Sequence, residues 1–364
     1  MSNHRFEYTK LKELAALVME KSGISREDSA TVAEVLLTSD LYGIESHGIQ
    51  RLGMYITGMD VGRINPNAKM RIVKETPVSA VIDADAGMGQ PVGVKAMSMA
   101  IEKASKTGFG MVLVNNSNHY GIAGYYSMMA AEKGMFGMSM TNTEGLVVPT
   151  FGKSPMLGTN PIAVTMPASP TPFHLDVSTS VVTAGKMEVY GRAKKPVPDG
   201  WSVNSDGLVN TDAQVFLDIR KNKLDGGLLT LGGFGETFGG HKGFGFSMLV
   251  EIMTGVMSLG NTSPHVRRVP NVEKCAHMFQ AIDYGIFGDK KEIEAKLSEY
   301  MREIRDSKKA DGYDRIYVHG EKEVEAKAKV LKEGVFMQES TANEVIGLCK
   351  KYGINHEEYM RKLS

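Results

Sequence analysis

The chain has 364 residues, more than the roughly 250 to 300 at which one hydrophobic core stops growing, so two packed domains are expected. Its 42% hydrophobic and 23% charged residues are those of an ordinary globular protein and exclude a disordered or fibrous chain. Forty-two Lys plus Arg balance 42 Asp plus Glu, which argues against a nucleic-acid footprint or a polybasic membrane surface and leaves room for a small anionic ligand.

The opening MSNHRFEYTK carries no apolar signal core, and no stretch approaches about 20 uninterrupted apolar residues, so a cytoplasmic protein is expected. Residues 10–45 read as two amphipathic helices, the second opened by Ser25 with Asp28 three positions on, a capping-box pattern. A third helix is expected through HGIQRLGMYITGM, and the helical unit ends near Asn65-Pro66, where proline blocks continuation.

From Val78 the pattern changes. VSAVIDAD alternates like a strand, VGVKAMSMAIEKASKTG reads as a helix closed by Gly108, and FGMVLVNN follows as a buried strand. HYGIAGYYSMMAAEKG is helical in pattern, and FGMSMTNT, PIAVTMP, FHLDVS and AHMFQAID are strand-like, giving an α/β body. Residues 192–229, rich in Pro, Gly, Asn and Asp, read as a loop or a small excursion. The charged segments from Lys290 onward are helical in period and are expected to pack back onto the N-terminal unit. The division expected is a helical domain of residues 1–75, joined by 320–364, and an α/β domain of 76–319. The 24 methionines lie at core spacings and read as core filler. Cys275 and Cys349 show no CxxC spacing, so neither a disulfide framework nor a metal site is expected.

Three constellations could carry chemistry. In Ser46-His47-Gly-Ile-Gln-Arg51, a guanidinium able to grip a carboxylate lies four residues from a histidine able to move a proton, although a His and Arg on a helix are commonly just solvated. Asn115-Asn-Ser-Asn-His119-Tyr-Gly121 falls where a strand ends and a helix begins, a place where ligands gather and where polar residues also serve as caps. The glycine-rich run from Gly232 to Met248 leads through His241-Lys242 into an apolar helix. It suits either a phosphate contact or a tightly turning loop, and it matches neither the P-loop nor GxGxxG. Spacing alone leaves the reaction open.

Taken in order, SHGIQRL, NSNHYGIAGYY, GTNPIAVTMP, LDVSTSVVTAGKM and GGHKGFGFSMLVEIMTG resemble the malate/L-lactate dehydrogenase family that lacks a Rossmann fold. The resemblance spans about residues 8–332. It implies an α/β fold of the non-Rossmann malate/lactate-dehydrogenase type, a mixed sheet with flanking helices plus an N-terminal helical domain, in a homodimer. It also implies hydride transfer between NAD or NADP and a small 2-hydroxy or 2-oxo acid, malate before lactate, ureidoglycolate or sulfolactate. By the same resemblance His47 is the acid/base with Ser46 as its hydrogen-bonded neighbour, and His119 is held in reserve for that role. Arg51 is the carboxylate clamp, and Thr159 and Asn160 are substrate contacts. His119, Tyr120, Gly121, Ile122 and Ala123 lie beside the nicotinamide, Leu175, Asp176 and Val177 form a strand edge on the cofactor, and His241 and Lys242 meet the diphosphate.

The chain departs from the family pattern twice. Lys186 stands where the imine-reducing branch has a relay aspartate, which disfavours a cyclic imine and suggests a partner for a second carboxylate. Tyr317-Val-His-Gly-Glu321 replaces an Arg-Ile-Pro-Gly-Glu segment near the cofactor. A different class, a cofactor-binding protein without turnover, is opposed by the presence of His47, Arg51 and His119 together.

Overall fold

A computed structural model describes residues 4–267 and 273–361. Strand β1 (Arg5–Phe6) leads into α1 (Tyr8–Lys21) and α2 (Arg26–Leu41). Ser25 caps α2 as expected, its hydroxyl accepting from the Asp28 N–H at 3.1 Å.

The single helix expected through His47 and Arg51 does not form. Two 3-10 turns, Glu45–His47 and Ile49–Arg51, precede α3 (Leu52–Asp60), with Gly48 extended between them. The cause is Asp40, buried at the end of α2: its carboxylate accepts the Ile49 N–H at 2.8 Å, and a Cβ on Gly48 would sit 1.8 Å from its Oδ1. Only glycine permits that approach, so the chain bends there.

The α/β body follows in chain order as β2 (Arg71–Glu75), β3 (Ser79–Asp83), α4 (Gly89–Thr107), β4 (Phe109–Ser117), α5 (Gly124–Ala131), β5 (Phe136–Thr141), β6 (Ile162–Met166) and β7 (Phe173–Val177). Gly108 closes α4 at φ 83°, the left-handed cap expected. Helix α5 begins five residues later than the pattern predicted, because residues 119–123 form a loop whose Gly121 has φ 85°. Residues 184–228 fold as α6 (Ala184–Arg192), β8 (Ser202–Val203), β9 (Val209–Asn210), α7 (Ala213–Asn222) and β10 (Gly227–Leu228). This is the small excursion, built on a three-stranded sheet. Then come α8 (Gly240–Glu251), which runs into a π-helical turn, β11 (Cys275–Ile282), α9 (Lys290–Asp306), α10 (Glu321–Glu333), β12 (Val335–Phe336) and α11 (Glu339–Lys351).

The main sheet has seven strands in the order β2-β3-β4-β11-β5-β6-β7. Only β3 and β4 pair in parallel, joined through α4, and every other neighbour is antiparallel. A doubly wound parallel sheet is therefore absent, consistent with the missing GxGxxG. Helices α4 and α5 bury one face of the sheet, with Val92, Ala96, Ala100, Tyr126 and Ala130 packed against Val112, Val114 and Phe279.

A separate core joins α1, α2 and α3 through Leu14, Val18, Val32, Leu36 and Leu52, and includes Val335, Val345 and Cys349 from the C-terminal elements. Strand β1 pairs with β12, so the tail packs back onto the N-terminal helices. Both cysteines are free and buried, and no described helix is long and apolar enough to cross a membrane.

Candidate active site

Where the 3-10 turns of the N-terminal unit face the carboxyl end of β4, the fold brings His47, Arg51 and His119 to one cavity of about 120 Å³, whose wall also includes Thr143, Glu144, Thr159, Gly185, Glu188 and Glu273. The irregular backbone forced by Asp40 and Gly48, rather than a helix face, is what aims His47 and Arg51 together.

The His47 and His119 rings stack with centroids 5.5 Å apart. Ser46 Oγ lies 2.8 Å from His47 Nδ1, which leaves Nε2 of that ring for a ligand. His119 Nδ1 lies 2.8 Å from the Tyr55 hydroxyl and accepts the Gly121 N–H at 3.4 Å. Because the backbone N–H can only donate, neutral His119 carries its proton on Nε2, as assigned from these partners. Burial, with help from the Arg51 cation, pushes the His47 imidazole down to about 4. Burial also drives His119 well below the usual histidine range, His47 and Arg51 adding to the effect. Both rings are thus neutral at pH 7, competent as a proton acceptor and a hydrogen-bond donor. Arg51 donates Nε–H to the Ser46 carbonyl at 2.6 Å and makes no ion pair among the described residues. Its outer nitrogens are left for an anion.

The other implied substrate contacts divide. Thr159 lines the cavity. Asn160 is fully buried, and its amide donates to Glu251 at 2.8 Å and to Ser247, so its side chain ties α8 to the sheet instead of facing the cavity. Lys186 is exposed with its ammonium 5.7 Å from the Trp201 ring centre, and does not line the cavity. Glu144, Arg220, Arg267, Glu273 and Tyr55 were not anticipated. Tyr55, four residues beyond Arg51 in the same segment, had a periodic signal; Arg220 lies in the last turn of α7, inside a stretch read as a loop or small excursion, and Arg267 lies in a turn, neither with a motif around it.

The segments implied for the cofactor converge on the end of β7. Asp176 Oδ2 accepts the Gly124 N–H at 2.7 Å, joining β7 to the 119–123 loop, and burial raises this carboxyl to about 6. Beyond Val177, the Leu231 N–H donates to Thr179 and Thr230 Oγ1 to Gly240, which brings the glycine-rich run to the same place. Those glycines serve a close backbone crossing: a Cβ on Gly232 would lie 2.4 Å from the Gly239 carbonyl carbon, and one on Gly240 2.3 Å from the Gly233 oxygen.

The crossing leaves His241 and Lys242 exposed at the N-terminus of α8, and Lys242 makes no ion pair among the described residues. A free lysine beside unpaired helix amides is the donor set a diphosphate needs. Tyr120 is unsuited to direct side-chain contact, because its ring is buried between Tyr126 and His277 at 4.7 and 4.6 Å. Ile122 and Ala123 are buried as well, so this loop offers mainly backbone. The atypical tail runs alongside, its His319 carbonyl accepting the His174 N–H of β7 at 3.1 Å.

Two larger cavities adjoin the site. One, of about 510 Å³, shares Glu144, Arg220 and Arg267 but contains neither histidine of the pair. Another, of about 580 Å³, shares Arg51, Glu188, Arg220 and Arg267 and opens between the excursion and α3.

Comparison with known proteins shows the family and the fold. A family model described as malate/L-lactate dehydrogenase matches residues 6–346. The chain is 45% identical to a malate dehydrogenase of Pyrococcus abyssi over 93% of its own length and 92% of that protein's. It is 38% identical to an L-sulfolactate dehydrogenase of Methanocaldococcus jannaschii, over 96% and 97% of the two chains. Its fold superposes on a crystal structure of malate dehydrogenase from Entamoeba histolytica with a TM-score of 0.93 at 37% identity, covering 96% of this chain and 98% of that one.

Proposed function

The chain belongs to the malate/L-lactate dehydrogenase family, and from that premise we propose that it transfers a hydride between NAD or NADP and the 2-carbon of malate or oxaloacetate. The observation that carries the reading is the pair of buried, stacked histidines beside an arginine with no carboxylate partner among the described residues. Arg51 grips the 1-carboxylate in two parallel hydrogen bonds. His47, through the nitrogen not engaged by Ser46, takes the 2-hydroxyl proton during oxidation and returns it during reduction. His119 donates its Nε2 proton to the same oxygen and holds it in place. Thr159 contributes a hydroxyl to the cavity wall.

The nicotinamide supplies the hydride acceptor. Residues 119–123 and Leu175 to Val177 would hold its ring by backbone and strand edge, and His241 and Lys242 would hold its diphosphate. The apolar face of Phe246, Leu249, Ile252 and Val256, all more than 40% exposed, supports a homodimer in which a second copy covers it. The same reading keeps residues 1–75 with 320–364 as one domain and 76–319 as the other, in a cytoplasmic protein.

The test is reduced-nicotinamide absorbance with NADH or NADPH and oxaloacetate, pyruvate or a cyclic 2-imino acid. Oxidation with oxaloacetate is expected. Turnover of the imino acid alone would replace the reading by imine reduction, and cofactor binding without any turnover would make the chain a non-catalytic binder.

The pH dependence follows from the lowered histidine. Oxidation needs neutral His47, so kcat/KM for malate is lost as pH falls through the free-enzyme value, about 4, and stays level between roughly pH 5 and 7. A limb near 6.5, the ordinary histidine value, would show that burial and Arg51 do not tune this group. Reduction needs the protonated ring and therefore declines as pH rises over the same range.

A further inference from the structure

We propose that Arg220 selects substrates bearing a second acidic group, a carboxylate or sulfonate one carbon beyond the reacting carbon, by exchanging Glu144 for that group. The inference rests on the 2-hydroxy acid reading and concerns what recognises the rest of the molecule. Arg51 is taken by the carboxylate beside the reacting carbon, so a distal anion needs another cation. Lys186, over Trp201, is directed elsewhere. Among the described residues the cavity's remaining cations are Arg220 and Arg267.

These two arginines are held differently. Arg267 gives Nε and Nη2 to the same Glu273 oxygen at 3.1 and 2.9 Å, and the Glu273 side chain is 8% exposed. Moving Arg267 would weaken the pairing of a buried carboxylate, which is strongly unfavourable. Arg220 instead gives one nitrogen to each of two partly buried partners, Nη1 to Glu188 at 3.1 Å and Nη2 to Glu144 at 2.9 Å, whose side chains are 31% and 23% exposed. Glu144 also accepts from Arg267 Nη1 at 3.0 Å, so it keeps a cation when Arg220 turns away. Arg220 is the exchangeable guanidinium and Arg267 the fixed one.

Position favours the same residue. A Cβ on Gly185 would lie 3.6 Å from Arg51 Nη2, while Glu188, three residues on along α6, bonds Arg220. Three residues of helix rise by about 4.5 Å, so the two guanidinium groups address one helix about a turn apart, a spacing suited to the two ends of a four-carbon diacid. Arg220 also lines the wider cavity of about 580 Å³, where with Arg51, Arg63, Arg192 and Arg267 it makes five guanidinium groups. Among the described residues Glu188 and Glu344 share that wall, and Glu144 and Glu273 pair with Arg63, Arg220 and Arg267 from beside it, so the five arginines outnumber these four carboxylates by one. In a protein of zero net formal charge this small excess of positive charge favours an anion at the mouth.

The test is kcat/KM for malate, 3-sulfolactate and lactate with the wild-type protein, Arg220→Met and Glu188→Gln. The wild type prefers the two dianions, and Arg220→Met lowers the dianion-to-lactate ratio about 100-fold, the size of a lost charge-assisted pair. Glu188→Gln, which removes one competitor for Arg220, raises that ratio. Comparing malate with sulfolactate tells which acidic group the arginine reads. Equal losses on all three substrates, or a wild type that takes lactate as well as malate, would overturn the proposal. Should Arg220→Met not fold, Arg220→Lys, which keeps the charge but not the planar fork, gives an intermediate ratio, and unchanged ratios in it and in Glu188→Gln overturn the idea equally. A wild type inactive on every 2-hydroxy acid would instead remove the underlying reading of the reaction.

Discussion

Replacing His47 by asparagine lowers kcat for malate oxidation about 1000-fold, the usual worth of a positioned general base, while leaving cofactor binding in place. Asparagine keeps a polar group beside Ser46 but cannot take a proton at neutral pH. The companion variant His119→Asn retains His47 and its Ser46 contact, and removes a donor whose tautomer is set by Tyr55 and Gly121. Its loss is expected to be smaller. Should His119→Asn prove the more damaging, the two histidines exchange roles, since the stacked rings address the same cavity. The measurement is single-turnover reduction of the nicotinamide, which separates the chemical step from product release.

Arg51→Met carries the second large effect, a fall in kcat/KM of about 1000-fold that appears for dicarboxylates and monocarboxylates alike, because the clamp acts on the carboxylate they share. The substitution also withdraws the cation that helps depress His47. Its acid limb therefore moves upward from about 4, part of the way only, because burial is the larger cause. A pH profile of the residual activity checks this, and an unmoved limb would mean that Arg51 does not face the imidazole as the structure places it.

Much of this arrangement was legible in the sequence, for identifiable reasons. The helices α2 and α4 announced themselves through Ser25 and Gly108, local signals that act within one turn. The alternating strands of the body were equally plain, and no dinucleotide glycine motif led to no doubly wound sheet. What failed was the helix through His47, because its interruption depends on Asp40, buried seven residues upstream and chemically unremarkable in sequence. The pair His47 and Arg51 was found nonetheless, for a reason other than the helix spacing first read into it.

Asn160 shows the opposite case. Its motif was conspicuous, but its amide is spent on Glu251 and Ser247 within the protein. Arg220 and Arg267 had no motif around them, since their place in the cavity is set by how helix α7 of the excursion packs and by a turn with φ 57° at Arg267. Long-range packing of that kind is not written in periodicity. The glycine-rich run illustrates a mixed outcome: its glycines answer a backbone crossing, and that crossing is what leaves His241 and Lys242 exposed at the start of α8.

The most direct test of the account follows the hydride itself. Malate deuterated at the 2-carbon is incubated with the protein and oxidised nicotinamide cofactor, and the reduced cofactor is weighed by mass spectrometry. Deuterium carried onto the nicotinamide is the predicted result, because in the proposed reaction the hydride at the 2-carbon goes to the cofactor and only the hydroxyl proton would pass to the His47 imidazole. Reduced cofactor without the label, or label released to water, would contradict direct transfer and with it the roles assigned to this site.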